Sequence, residues 1–156
     1  MPTPKVGDPA PDFELVDERG VSVRLSHYLG RKVVLYFYAK VDSPACTAEA
    51  CGFRDEYSVY TEKGATILGV SPDEVEAQAQ FKARYDLPFP LLADVGHTVS
   101  VTYGAWAPMK SGKMGIHRTT FVIDERGRIQ HVFEGVKVDG HARQVLDALG
   151  PAGSAA

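Results

Sequence analysis

Cys46 and Cys51 are the two cysteines of this chain, and Cys46 follows the run Val41-Asp42-Ser43-Pro44-Ala45. Ser43 suits a helix N-cap, and Pro44 suits the first helical position, where its missing N–H costs nothing. Cys46 then falls at the third helical residue, inside the first turn. Unpaired backbone N–H groups and the positive end of the helix dipole favour a thiolate there. A thiolate of this kind attacks a peroxide oxygen to give a sulfenic acid, and a neighbouring thiol condenses with it. Cys46 has the environment of the attacker, which leaves Cys51 to resolve.

The spacing carries a further consequence. Five positions apart on one helix, the two Cα atoms lie ~8–9 Å from each other and the side chains point in different directions. A disulfide needs Cα atoms at ~4.4–6.8 Å. The pair therefore closes only if the first turns unwind, and Gly52, directly after Cys51, weakens the helix where this would happen. The spacing predicts two forms, one helical and reduced, the other locally unfolded and oxidised. Thiolate formation alone does not make an efficient peroxidase; a fixed cation and hydroxyl donors must hold the peroxide and the charge that develops on its oxygens.

Several elements must position this pair. Val33 to Tyr38 reads as a buried strand leading into the cysteine helix. Ala50, Phe53, Tyr57 and Tyr60 share one face of a single helix that continues to Thr61. Before them, Phe13 and Leu15 alternate with Val21, Val23 and Leu25 around the turn Asp17-Glu18-Arg19-Gly20, which reads as a hairpin after an extended, proline-rich lead-in. Ala65 to Val70 is a second buried strand, closed by Ser71-Pro72-Asp73. Glu74 to Tyr85 is helical. The segment from Pro88 to Ala93 is a short strand whose prolines suggest an edge. Thr98 to Tyr103 is a short helix, and Thr119 to Asp124 pairs with Ile129 to Glu134 about Glu125-Arg126-Gly127-Arg128. His141 to Leu149 is the last helix, ended by Gly150. Lys110 to Lys113 lacks the spacing of a phosphate loop and reads as surface loop, and Trp106 as packing. This order predicts a mixed sheet with helices on both faces.

Composition narrows the function. The 156 residues suffice for one domain, expected over residues 1–150, with a flexible tail at 151–156. A formal charge of −3 offers no basic footprint for nucleic acid or an anionic membrane. No apolar run approaches the ~20 residues of a membrane span. The start, Met1-Pro2-Thr3-Pro4-Lys5, has no apolar stretch of the secretory kind, which predicts a cytoplasmic protein. In a reducing compartment, two nearby thiols point to redox chemistry or metal binding rather than a permanent staple. The five histidines are scattered, none at ligand spacing from another or from the cysteines, so neither a metal nor another cofactor is expected.

The run from Leu35 to Asp55, Leu-Tyr-Phe-Tyr-Ala-Lys-Val-Asp-Ser-Pro-Ala-Cys-Thr-Ala-Glu-Ala-Cys-Gly-Phe-Arg-Asp, resembles the active-site segment of the bacterioferritin-comigratory-protein (PrxQ) group of peroxiredoxins, of the atypical two-cysteine type. The segments Val6–Phe13, Leu68–Asp73, Leu87–Leu92 and Gly115–Asp124 extend the resemblance, which covers about Lys5 to Leu149. It implies an α/β chain of thioredoxin-like fold, a central mixed sheet flanked by helices with an N-terminal β-hairpin extension. It implies reduction of hydrogen peroxide and organic hydroperoxides, with regeneration by a thioredoxin-type donor. It places the peroxidatic role on Cys46, the resolving role on Cys51, a peroxide-bonding hydroxyl on Ser43, and an arginine that holds thiolate and peroxide at Arg118. Glu49 matches a carboxylate that orients that arginine. The chain departs from the group's pattern at Ala39, where proline is usual, at Ser43, where threonine is usual, and at Ala45, where glycine is common.

Each residue also has a plainer reading. Cys51 could be core packing, Ser43 a cap alone, Glu49 a favourable first-turn charge, and Arg118 an exposed strand-end residue, whose role rests on the resemblance. A general thiol–disulfide oxidoreductase usually carries Cys-x-x-Cys, which this chain lacks. A non-catalytic redox sensor, read through the unwinding helix, would use the same switch. With both cysteines on one chain, no dimer is needed for the disulfide, and a monomer is expected.

Overall fold

The computed structural model describes residues 3–150. The expected tail at 151–156 lies outside them. A seven-stranded mixed sheet forms the centre, in the order β2 (Ser22–Arg24), β1 (Glu14–Asp17), β5 (Leu91–Ala93), β4 (Ala65–Ser71), β3 (Lys32–Phe37), β8 (Thr119–Ile123), β9 (Ile129–Phe133). Strand β3 lies inside it, parallel to β4, the middle strand, on one side and antiparallel to β8 on the other. Strand β4 continues to β5 (Leu91–Ala93), and β8 to β9 (Ile129–Phe133).

Side chains alternate strictly through β3 because successive Cβ atoms point to opposite faces. Val34, Tyr36 and, just beyond the strand, Tyr38 enter one core with Phe53, Tyr60, Phe81, Val145 and Leu146. Val33, Leu35 and Phe37 enter the other with Phe13, Leu25, Val99, Tyr103 and Phe121. The first face is covered by helices α1 (Pro44–Asp55), α2 (Tyr57–Glu62), α3 (Val75–Tyr85) and α5 (His141–Leu149). The second is covered by the short α4 (Thr98–Thr102) and the chain around it. Lys32 and Lys63 donate to the carbonyls of Leu149 and Gly150, tying down the C-terminal end of α5.

Two expectations are corrected. The strand β5 is interior, not an edge, because β1 (Glu14–Asp17) pairs with it antiparallel and carries β2 (Ser22–Arg24) as the outermost strand. Buried Glu18, in the hairpin turn, accepts from Leu91 N at 3.0 Å and from Lys82 Nζ at 3.2 Å, which pins the hairpin over β5. Pro88 and Pro90 precede the strand, so neither removes a donor from it. The expected single helix to Thr61 is two, because Glu56 leaves helical geometry at φ −102°, ψ 4° and re-aims α2. Tyr60 thereby donates its hydroxyl to Ala142 O at 2.6 Å. Finally, β6 (Trp106–Pro108) and β7 (Met114–Ile116) form a separate two-stranded ribbon whose exposed tip is the expected loop Lys110 to Lys113. Trp106, half-buried, stacks on His97 with ring centroids 3.8 Å apart.

Candidate active site

The site forms where β3 ends and α1 begins, at the C-terminal edge of the parallel strands. The chain leaves the sheet at Tyr38, passes the exposed Ala39 and Lys40, and turns through Asp42, which adopts a left-handed φ of 64°. Asp73, at the end of the neighbouring β4, fixes this loop: its Oδ2 accepts from Val41 N at 2.8 Å and from Ser71 Oγ at 2.8 Å. Behind it, buried Gln78 accepts from Tyr38 Oη at 2.7 Å and donates to Leu92 O at 2.7 Å and Ser71 Oγ at 3.1 Å. The turn Ser71-Pro72-Asp73 read as no more than a strand closure in the sequence, and Gln78 carried no signal at all.

Ser43 is the N-cap of α1, extended at φ −69°, ψ 147°, with Pro44 in the first turn. Its Oγ accepts from Cys46 N at 3.4 Å and donates to Lys40 O at 3.1 Å. The hydroxyl therefore lies against the backbone N–H of Cys46, in its cap role. Cys46 itself is 1% exposed, while Cys51 is half-buried; both thiols are free. Both lie within α1, in the unbroken helical geometry that keeps them apart.

Arg118 arrives from the other side of the sheet's central pair, immediately before β8. Its Nη2 donates to Cys46 Sγ at 3.4 Å, and its Nη1 donates to Glu49 Oε1 at 2.7 Å. The planar guanidinium thus bridges a sulfur and a carboxylate that stand three residues apart on one helical face. Glu49's side chain is fully buried and Arg118's is 19% exposed. Burial pushes the Glu49 carboxyl up to about 7, against the opposing pull of Arg118. Burial lowers the Arg118 guanidinium, but Glu49 and the Cys46 sulfur more than offset this and leave it above its ordinary value. Among the described residues, Glu49 Oε2 has no hydrogen-bond partner. Nearby, His141 is buried between Phe53 and Phe133, its Nε2 2.8 Å from Thr120 Oγ1, and burial lowers its pKa.

The structure therefore brings Ser43, Cys46, Glu49 and Arg118 together, with Cys51 farther along the same helix. A cation beside a buried sulfur at a capped helix start can hold a thiolate and the negative oxygen it displaces.

Comparison with known proteins agrees with this chemistry. The model of the AhpC/TSA family matches residues 6–132. The chain belongs to the AhpC/TSA family. Within it, the relatives are Bcp and PrxQ peroxiredoxins. Peroxiredoxin Bcp of Bacillus subtilis is 44% identical over 150 residues, covering 94% of this chain and 96% of that protein. The crystal structure of a PrxQ variant from Xylella fastidiosa superimposes with a TM-score of 0.91 at 30% identity, covering 96% and 97% of the two chains. A bacterioferritin comigratory protein of Xanthomonas campestris, whose structures bear on its alkyl peroxide reduction activity, gives 0.87 at 32% identity, covering 94% and 95%. Members of the family are thiol-dependent peroxidases, oxidoreductases with a peroxide substrate and a thiol reductant, and this chain is one of them. The thioredoxin-like fold expected from the sequence is the fold observed. Among the described residues, no helix is long and apolar enough to cross a membrane.

Proposed function

We propose that this protein reduces hydrogen peroxide and organic hydroperoxides through Cys46 and Cys51, with no cofactor. The observation that carries the reading is the bond from Arg118 Nη2 to Cys46 Sγ at 3.4 Å, with the other guanidinium nitrogen locked on Glu49. The Cys46 thiolate attacks the terminal peroxide oxygen. The O–O bond breaks, an S–O bond forms, and the departing alkoxide or hydroxide takes a proton to leave as alcohol or water. Arg118 stays on the sulfur side and stabilises the charge as it moves to the leaving oxygen, while the Ser43 hydroxyl bonds the peroxide.

The first turns of α1 then unwind, and the Cys51 thiol condenses with the sulfenic acid to release water and form an intramolecular disulfide. A dithiol donor of the thioredoxin type reduces that bond by exchange, and the donor leaves oxidised. Because both sulfurs belong to one helix of one chain, the cycle runs in a monomer and needs no metal.

Peroxide consumption with a thioredoxin system tests this. Cys46→Ser abolishes turnover. Cys51→Ser gives one rapid oxidation of Cys46 and no disulfide within the chain. Full activity in Cys46→Ser defeats the reading.

A further inference from the structure

Two glycines near the site differ in what they are for. A Cβ on Gly69 would sit 3.1 Å from the Tyr36 ring and 3.1 Å from Leu91 Cδ2, a tight fit that would press on both side chains. Gly52 has no such constraint. It is an ordinary helical residue within α1, not in the left-handed region, and the nearest atom to an added Cβ is Ala142 Cβ at 3.8 Å, normal contact distance. Alanine would fit. The effect of glycine at this place is to weaken the helix.

The anchoring on either side of Gly52 is unequal. After it, Phe53 is fully buried, with its ring 4.8 Å from Tyr36, 5.9 Å from Tyr60 and 5.7 Å from His141. Arg54 Nη1 donates to Tyr85 O at 2.8 Å. Before it, the polar ties from α1 to the sheet run through Arg118, to Cys46 and Glu49. Conversion of the thiolate to a neutral sulfenic acid removes the charge that strengthens one of those two bonds. The reaction thus loosens one polar tie on the N-terminal side, where the buried apolar groups are the small Cys46 and Ala50, while the large Phe53 ring holds the C-terminal side.

We infer that Gly52 is the hinge of α1, and that its lack of a side chain sets how readily residues 44–52 unwind and so how fast Cys51 captures the sulfenic acid. This rests on the peroxidase reading above. It also sets peroxide tolerance, because a sulfenic acid that waits for its partner meets a second peroxide and becomes sulfinic acid.

The test uses the full chain in three forms: wild type, Gly52→Ala, and Ala48→Gly, which weakens α1 at an exposed position. Each is mixed with hydrogen peroxide, quenched over time with a thiol-blocking reagent and a sulfenic-acid trap, and analysed as the tryptic peptide Val41–Arg54, which holds both cysteines. Sulfenic acid forms at the same rate in all three. The disulfide closes about fivefold slower in Gly52→Ala, the factor to which the glycine-to-alanine difference in helix propensity converts. Sulfinic acid accumulates more in that variant at high peroxide, and Ala48→Gly closes faster than wild type. Closure of Gly52→Ala at the wild-type rate overturns the hinge. So does slow closure of Gly52→Ala without acceleration in Ala48→Gly, which would mark a packing effect against Ala142. Absence of sulfenic acid at Cys46 in the wild type would instead remove the peroxidase reading on which the hinge depends.

Discussion

Arg118 does two things with one group. It donates to the Cys46 sulfur and to the Glu49 carboxylate, and it makes both bonds because a guanidinium presents its N–H groups as a rigid fork. Replacement with alanine removes the cation from the sulfur and leaves the Glu49 carboxyl buried without its partner. Arg118→Ala should slow the oxidation of Cys46 by about a hundredfold or more, as loss of a preorganised charge-stabilising donor does. Arg118→Lys should recover little of it, since a single ammonium cannot serve both acceptors. Stopped-flow measurement of the first oxidation, separate from recycling, reads both. A lysine variant with wild-type rate would show that positive charge suffices and that the fork is incidental. Ser43 stands where the group usually has threonine, and its hydroxyl is still in the capping position, so this departure leaves the cap intact.

At the scale of elements, the start of α1 is readable because its signals are local: a cap residue, a proline and a cysteine within one turn of chain. The break at Glu56 was not, since it serves a contact between Tyr60 and Ala142 made across 82 residues. The strands β6 and β7 are three residues each and too short to show a period. Arg118 reaches Cys46 from 72 residues away, and spacing alone could not separate it from an exposed strand end; the resemblance placed it. Asp73 was equally hidden. It joins the end of β4 to the loop that precedes α1, so its effect belongs to the junction of two elements. Asp73→Ala should leave Val41 N without its acceptor, lower stability by about 1–3 kcal/mol, and slow Cys46 oxidation through a looser Ser43 cap. Denaturant melts and the same stopped-flow trace check this. Unchanged oxidation in a destabilised variant would confine Asp73 to stability.

For the whole molecule, the site is a cost as well as a function. The Glu49 carboxyl is raised by burial from an ordinary 4.5 to about 7, so the folded protein binds its proton more tightly than the unfolded chain does. The stability this contributes is fully present below about pH 4.5 and is lost as pH rises through about 7, where ionised Glu49 must be carried inside the fold. Glu49→Gln has no such group to ionise. Urea midpoints should therefore show the wild type losing stability relative to Glu49→Gln between those two pH values and holding a constant difference above them. A difference that does not vary with pH would mean that Arg118 neutralises the carboxylate fully. The two cores on either face of the sheet, and the hairpin locked over β5 by Glu18, give α1 a rigid support against which local unwinding can occur without loss of the fold.

The most direct measurement is the mass of the peptide Val41–Arg54 after the reduced protein meets one equivalent of hydrogen peroxide. That peptide should become two hydrogens lighter, as a disulfide within a single chain, with no change in the Cys46→Ser variant. An unaltered mass, or the same sulfurs found linking two chains, would contradict it.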